Sequence, residues 1–305
     1  TLRSSSAASD VYKRQLNMNT QLLIIDPQND FMDIPEEVRK NMSGNSLVPF
    51  EPGLPVTGSW DDSLRLGQFI KKHSKSIDGI TVTLDTHQQY DVAHPMFWIN
   101  DSGLQPEPFT IISSDDIKSG KWKPVDVSIT QRMIEYTEKL EEQGLFPLCI
   151  WPYHCLVGTQ GYAIVEPILE SLLEWETLRR TRFAPVTKGH NPYTEHYGAF
   201  FAEVVDPQDP TTTLNNRLIE RFQKADLILL TGQALSHCVN RTVTQLADNF
   251  GEENIKKLVL LEDTCSPVTG FEDAAKDFIE RLTKRGMRCV KSTDIVSVNN
   301  EFVIK

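Results

Sequence analysis

Runs of consecutive apolar residues alternate along this chain with segments of helical periodicity. The runs are short and rich in β-branched and aliphatic side chains, which is typical of strands buried on both faces of a parallel sheet. They are QLLIID (21–26), GITVTLD (79–85), LCIW (148–151), FAPVT (183–187), DLILLTG (226–232) and KLVLLED (257–263). The pattern therefore predicts a sheet strand at each of these runs.

Amphipathic segments with helix start signals lie between the runs. Ser59 comes shortly before LRLGQFIKK, Ser128 precedes ITQRMIEYTEKLEEQG, and Gly270 comes shortly before AAKDFIERLTKRG. Alternation of strand and helix predicts one doubly wound α/β domain, in which a mostly parallel sheet carries helices on both faces. Ligands of such a fold bind at the carboxyl ends of the strands.

Three segments depart from this alternation. Residues 1–17 are polar and patternless, and we expect a disordered tail that is not native to the protein. Residues 18–305 are expected to form a single domain. Within it, residues 32–58 and 95–127 contain scattered Pro, Gly and Asp and predict long insertions. Because insertions of this length usually act as lids or subunit contacts, we also expect a homo-oligomer.

The composition excludes several classes of partner. The 305 residues include 42 acidic and 31 basic side chains, for a net charge of -11, and the basic ones are dispersed, so nucleic acid is not expected. No apolar run approaches the roughly 20 residues that span a bilayer, and no secretory signal is visible, which predicts a cytoplasmic protein. Five cysteines without a C-x-x-C pair argue for reduced thiols rather than disulfides or a zinc finger.

Reactive side chains follow several of the predicted strands. Asp26 follows QLLII, Lys188 follows APVT, and Cys238 lies near the start of the helix predicted after LILLTG. A helix N-terminus lowers the pKa of a thiol, and its free N–H groups can hold an oxyanion. Taken singly, such a cysteine is more often a packing residue, the aspartate a turn residue and the lysine a solvated one. Their expected meeting at one sheet edge favours a nucleophilic site.

A second group of side chains has the composition of a metal site. Asp85 and His87 are two residues apart on an extended segment and project to the same side, while His94 and His154 could join them. One carboxylate with two or three imidazoles suits a catalytic zinc, iron or manganese ion. The alternative is that these are loop histidines bonded to the backbone. The other histidines, at 73, 190, 196 and 237, are expected to be structural or to support the site.

Three motifs in combination resemble the isochorismatase-like cysteine hydrolases, and within them the nicotinamidases. IIDPQNDF resembles the family's D-x-Q-N-D-F, TKGHNPYTEHYGAF its K-G motif with a downstream Y-S-x-F, and TGQALSHC its G-x-A-x-x-x-C. The resemblance extends from about Gln21 to about Ser297 and is interrupted by the two insertions.

The resemblance implies a role for each of these residues. Cys238 would be the nucleophile, Asp26 the catalytic carboxylate and Lys188 the second member of the triad. The amides of Ala234 and Cys238 would form an oxyanion hole, with a cis peptide bond between Gln233 and Ala234. The implied ligands of a divalent ion, which binds the pyridine nitrogen of the substrate, are Asp85, His87, His154 and His94. The implied pocket residues are Phe31, Trp151 and Tyr197.

Four positions depart from the family pattern. Gly198 stands where the motif has serine, Ser236 where an acidic residue is frequent, Gln233 where the residue is usually apolar, and Thr86 where an aromatic residue follows the metal-site aspartate. The triad is intact. The departures concern the surroundings of the reactive group and therefore the substrate.

The expected function is a zinc-dependent nicotinamidase of NAD salvage, which converts nicotinamide to nicotinate and ammonia through a thioester. Iron and manganese are alternative metals. A cysteine amidase that acts on another small amide, a ureide or a carbamoyl compound is the alternative within the enzymes. An inactive metal-binding scaffold of the same fold is the alternative outside them.

Overall fold

A computed structural model of the chain describes residues 18–42, 50–144 and 146–305. The expected tail at residues 1–17 lies outside the described residues, as does part of the first insertion. The strands are β1 Thr20–Ile25, β2 Gly79–Asp85, β3 Trp98–Ile99, β4 Ile111–Ile112, β5 Lys123–Pro124, β6 Leu148–Cys149, β7 Ala184–Lys188, β8 Leu227–Gly232, β9 Leu258–Leu261, β10 Arg288–Val290, β11 Ile295–Val298 and β12 Glu301–Ile304. The helices are α1 Glu36–Met42, α2 Ser59–His73, α3 Ser114–Lys118, α4 Thr130–Gln143, α5 Glu166–Arg179, α6 Asn216–Gln223, α7 Asn240–Asn249 and α8 Glu272–Lys284.

The central sheet has the order β10-β9-β8-β1-β2-β7, and all of its strands are parallel. Alternate residues of β1 enter two separate apolar cores, because successive side chains of a strand point to opposite faces. Leu23 and Ile25 lie in the core that includes α6, α7 and α8, whereas Leu22 and Ile24 lie in the core that includes α2 and α5. The predicted doubly wound α/β fold, with helices on both faces, is confirmed.

The strand order places a topological switch between β1 and β8. From β1 the chain runs outward on one side through β2 to β7, and from β8 it runs outward on the other side through β9 to β10. The loops that follow β1 and β8 therefore leave the sheet in opposite directions and open a crevice between them. Ligands of doubly wound sheets bind in this crevice.

One predicted strand of the central sheet is wrong. Residues 148–151 do not join that sheet; only Leu148–Cys149 is extended, and it pairs antiparallel with Ile111–Ile112 in a separate two-stranded sheet. A short apolar run identifies burial but not the sheet to which a strand belongs. His154 therefore approaches the site from a loop rather than from a neighbouring strand of the sheet.

The second insertion has an apolar core of its own. Phe97, Trp98, Ile112 and Ile117 are buried, and they pack against residues of α4 such as Met133. A capping box at Ser113 begins helix α3. This part of the chain is thus a folded layer beside the sheet and not a loose loop.

The antiparallel hairpin of β11 and β12 was not among the predicted elements. Its Phe302 ring stacks on Phe69 of α2, with ring centroids 6.0 Å apart. None of the described helices has the length and apolar character that crossing a membrane requires.

Candidate active site

Three strand ends of the central sheet bring Asp26, Lys188 and Cys238 together. Asp26 follows β1, Lys188 is the last residue of β7, and Cys238 lies in the π-helical turn Leu235–Val239 that leads from β8 into α7. Lys188 Nζ lies 2.9 Å from Asp26 Oδ2 and 3.7 Å from Cys238 Sγ. All three side chains are buried. The structure thus assembles the three residues that the sequence predicted as a triad.

Thr83 orients the Asp26 carboxyl group. Its Oγ1 donates a hydrogen bond of 2.5 Å to Asp26 Oδ1 and accepts one of 3.0 Å from the Asp26 amide. Burial raises the pKa of Asp26, and the ammonium of Lys188 opposes this only in part. A carboxylate with a raised pKa is a better proton acceptor, which suits a general base.

Burial raises the pKa of the Cys238 thiol well above the usual range, although Lys188 acts in the opposite direction. The lowered thiol pKa that the sequence predicted from a helix N-terminus is therefore wrong for the resting site, because burial outweighs the helix. Formation of a thiolate requires that the proton move to a neighbouring group. One oxygen of Asp26, one oxygen of Asp85 and Sγ of Cys238 lie within 4.8 Å of one another, so a carboxylate lies near enough to accept that proton.

Lys188 lies between two carboxylates. Besides Asp26, its Nζ contacts Asp85 Oδ1 at 3.0 Å. Burial alone lowers the pKa of Lys188, but Asp26 and Asp85 outweigh it and hold the pKa well above its ordinary value. The ammonium of Lys188 therefore balances the charge of the buried carboxylates.

The segment after β8 lines the cavity above the thiol. The peptide bond between Gln233 and Ala234 is cis, as the sequence resemblance implied. Both Ala234 and Cys238 line the cavity. Within residues 18–42, 50–144 and 146–305, the amide of Ala234 donates no hydrogen bond to a backbone or side-chain acceptor. This N–H group is thus available to a ligand.

Asp85, His87 and His154 form a compact group of donor atoms. Asp85 Oδ2 lies 3.1 Å from His87 Nε2 and 3.7 Å from His154 Nε2, and donor atoms of the three residues lie within 4.8 Å of one another. One carboxylate and two imidazoles, with further positions open to solvent or substrate, fit a catalytic divalent ion.

The outer contacts of both histidines support this fit. His87 Nδ1 lies 3.0 Å from Asp91 Oδ2, and His154 Nδ1 lies 2.8 Å from the carbonyl oxygen of Pro152. With oxygen acceptors at Nδ1, both rings turn Nε2 towards the donor group. This is the arrangement that metal-ligating histidines usually have.

His94 is placed beside this group rather than in it. Its Nε2 lies 3.4 Å from His154 Nδ1, and its Nδ1 lies 3.0 Å from the carbonyl oxygen of Gln88. Among the described residues, the compact donor group comprises Asp85, His87 and His154 without His94. His94 therefore contacts Nδ1 of His154, the ring nitrogen that does not face Asp85.

A small cavity lies between the thiol and the donor group. The residues that line it are Phe31, Leu54, Asp85, Trp151, His154, Glu195, His196, Tyr197, Ala234, His237, Cys238 and Val268. All three predicted pocket residues, Phe31, Trp151 and Tyr197, are thus among its walls. The Trp151 ring nitrogen donates to Tyr197 Oη at 3.0 Å and to Glu195 Oε2 at 3.2 Å, which fixes the plane of the indole.

Polar cavity residues were missed as functional candidates. Burial raises the pKa of Glu195 to about 7 and lowers the pKa values of His196 to about 3 and of His237 to about 4. Nε2 of His196 has no hydrogen-bond partner in the described part of the chain. His196 and His237 were expected only to be structural or to support the site, and Glu195 was not considered, although it lies two residues from the predicted pocket residue Tyr197.

The chain resembles solved nicotinamidases in fold. It matches no family model and no curated protein. The yeast nicotinamidase bound to nicotinaldehyde is 18% identical, with a TM-score of 0.58 over 89% of this chain and 99% of that one. The nicotinamidase/pyrazinamidase of Acinetobacter baumanii is 18% identical, with a TM-score of 0.54 over 91% and 98%. The zinc complex of the Pyrococcus horikoshii pyrazinamidase is 17% identical, with a TM-score of 0.51 over 90% and 99%. The chain therefore shares the fold of these nicotinamidases and pyrazinamidases.

Proposed function

We propose that the protein is a metal-dependent cysteine amidohydrolase that converts nicotinamide to nicotinate and ammonia. The observation that carries the proposal is the position of Lys188, whose Nζ contacts both Asp26 and Asp85 and lies 3.7 Å from Sγ of Cys238, a residue that lines the cavity. Burying a carboxylate, an ammonium and a thiol together costs free energy, and such groups are concentrated at functional sites. Three solved structures that share this fold are nicotinamidases or pyrazinamidases.

The first half of the reaction forms a thioester. Asp26 takes the proton of Cys238, and the thiolate attacks the carboxamide carbon. The negative charge that develops on the amide oxygen is met by the backbone N–H groups of Ala234 and Cys238, each worth about 10² to 10³ in rate. As the C–N bond breaks, Asp26 returns its proton to the nitrogen and ammonia leaves.

The second half regenerates the thiol. Asp26 removes a proton from water, and the hydroxide adds to the thioester carbon at the same oxyanion hole. The C–S bond then breaks, the carboxylic acid leaves, and Cys238 regains its proton. Lys188 remains charged throughout and offsets the negative charge on Asp26 and on the sulfur.

Asp85, His87 and His154 would hold the divalent ion, and we propose zinc, with iron or manganese as alternatives. His94 would complete the set only after a shift of its ring away from His154. When bound, the ion acts as a Lewis acid that can orient a ring nitrogen or polarise water. The aromatic walls from Phe31 and Trp151 suit a flat heteroaromatic body between this group and the thiol.

A second candidate is an amidase for a more polar amide, such as a ureide or another carbamoyl compound. The observation that favours it is the presence of Glu195, His196 and His237 in the cavity wall. These groups offer hydrogen bonds that a bare pyridine ring does not use. Both candidates share the triad chemistry and differ only in the body of the substrate.

Ammonia release tests the proposal directly. Purified protein would be assayed with nicotinamide, pyrazinamide and several ureides, before and after metal removal by a chelator. We expect nicotinamide turnover that is lost on chelation and absent in Cys238→Ala, while Cys289→Ala, which changes a half-buried cysteine, keeps it. Turnover of ureides alone would select the second candidate. Full activity in Cys238→Ala would exclude the triad mechanism, and no ammonia from any amide would favour an inactive scaffold.

A further inference from the structure

The side chain of Gln233 is held by hydrogen-bond partners on two other segments of the chain. Its Nε2 donates to Asp62 Oδ2 at 2.9 Å, and its Oε1 accepts from the amide of Ser266 at 3.2 Å. Its backbone amide also donates to the carbonyl oxygen of Ile25 at 2.9 Å. A residue that is usually apolar in the nicotinamidase pattern is here fixed by hydrogen bonds to α2, to the end of β1 and to the loop after β9.

Ser266 makes two further hydrogen bonds in the network that includes Asp62 and Gln233. Its Oγ donates to Asp62 Oδ2 at 2.6 Å, and its carbonyl oxygen accepts from the amide of Leu235 at 2.8 Å. The second carboxylate oxygen of Asp62 contacts Arg65 Nη2 at 2.6 Å. The residues before and after Ala234 are therefore both tied to Ser266, and Ser266 is tied to Asp62.

Between these fixed neighbours stands Ala234, whose amide is available to a ligand at the cavity wall. We propose that Asp62, Gln233 and Ser266 form a clamp that positions the Ala234 amide as an oxyanion donor, with Asp62 as its central positioning residue. This inference rests on the proposed amidase function. None of the three residues lines the cavity, so the clamp acts through the backbone at residues 233–235 and not on the substrate.

The chemistry of Asp62 suits this role better than a general contribution to stability. An ionised carboxylate only accepts hydrogen bonds, and the groups that face it, from Gln233, Ser266 and Arg65, are all donors. Burial raises the pKa of Asp62, which these donors counteract. An amide at this position would turn one of its two polar atoms into a donor facing other donors. The geometry of the clamp therefore depends on the carboxylate.

The test compares Asp62→Asn with Asp61→Asn, a substitution at the exposed neighbour on the same helix. With nicotinamide we expect kcat of Asp62→Asn to fall about 10- to 100-fold while KM changes less than about threefold. A misplaced oxyanion donor weakens stabilisation of the transition state but not binding of the substrate. Asp61→Asn should retain both constants. Ser266→Ala, which removes one donor to Asp62, gives a smaller decrease of the same kind and serves if Asp62→Asn fails to fold.

Two ligands distinguish a misplaced Ala234 amide from a general distortion of the site. Pyridine-3-carboxaldehyde can add the thiol and place an oxyanion at the Ala234 amide, whereas nicotinate binds without that adduct. The clamp predicts that aldehyde affinity falls in parallel with kcat and that nicotinate affinity is unchanged. Equal losses of affinity for both ligands, or variants with the kinetic constants of the parent, would overturn the clamp and leave the proposed function standing. A parent protein that neither releases ammonia nor binds the aldehyde would overturn the proposed function, and the clamp with it.

Discussion

Lys188 Nζ lies 3.0 Å from Asp85 Oδ1, so a single buried ammonium joins the residues around the thiol to the candidate metal group. The same nitrogen contacts Asp26 at 2.9 Å. The ammonium of Lys188 thus balances the negative charges of both Asp26 and Asp85. A substitution at Lys188 should therefore affect the triad and the candidate metal group together.

Replacement of Lys188 by methionine should therefore abolish amide hydrolysis and also destabilise the protein. Methionine fills a similar volume but leaves Asp26 and Asp85 buried without a cation, and breaking a buried pair in this way costs about 3–5 kcal/mol. Urea unfolding measures the difference. Lys276→Met, at an exposed position, is the matched control and should be within about 0.5 kcal/mol of the parent. A Lys188→Met protein as stable as this control would show that the charges are not coupled.

Asp91 should tune metal affinity without being a ligand. Its Oδ2 accepts from His87 Nδ1 at 3.0 Å, and its Oδ1 accepts from the Ala93 amide at 3.0 Å. We expect Asp91→Asn to weaken metal binding about 10- to 100-fold, because an outer carboxylate orients a ligating histidine and raises its basicity. Metal content after dialysis against graded chelator measures this. Asp115→Asn, on the surface, should match the parent, and an equal loss in both variants would remove the special role of Asp91.

The glycine at position 198 is explained by its neighbour Gln245. A Cβ atom added there would lie 2.1 Å from Gln245 Oε1, an atom that accepts hydrogen bonds from the amides of Phe200 and Phe201. Gly198→Ser, which restores the residue of the family motif, should cost about 1–3 kcal/mol of stability through overpacking. The same substitution in a Gln245→Ala background should cost less. Additive losses in this double-mutant cycle would mean that the two sites do not clash.

Stability should fall as the pH is lowered from 7 towards 5, in part through His73. Burial lowers the pKa of His73 to about 4, and the like charge of Lys72 adds to this. In the unfolded chain a histidine has a pKa near 6.5, so between that value and about 4 the unfolded state binds the extra proton and gains stability. The free energy of unfolding of His73→Phe, measured by urea at pH 7 and pH 5, should fall less than that of the parent. An unchanged difference between the two pH values would exclude His73 as a source of the loss.

The triad could be predicted because its residues lie at or shortly after the ends of strands. Asp26, Lys188 and Cys238 each follow an apolar run that the sequence marks clearly, and the rule that ligands bind at carboxyl ends of strands then joins them. Five of the six strands of the central sheet, and its two helical faces, followed from the same pattern, whereas β10 was not predicted. The state of the thiol did not follow, because its pKa is set by burial in three dimensions rather than by its place near a helix.

The walls of the site could be predicted only in part. Phe31, Trp151 and Tyr197 came from the family resemblance, but Glu195 and His196 did not, because a polar residue in a motif gives no sign of which way its side chain points. The strand predicted at residues 148–151 failed for a related reason: apolar residues report burial, but this run pairs with a strand of the second insertion instead of joining the central sheet. Partners set by contacts distant in sequence, such as Asp62 and Gln233, have no local pattern at all.

The cavity draws its reactive floor and its walls from different parts of the chain. The floor is fixed by the register of the sheet, whereas Leu54 comes from the first insertion, Trp151 from the loop after β6 and Val268 from the loop after β9. Substitution of these three side chains, with His154 and Ser266 of the same loops retained, would leave the triad and the groups that support it in place. For protein engineering, libraries confined to Leu54, Trp151 and Val268 could therefore change which amide is accepted while the proposed catalytic step is preserved.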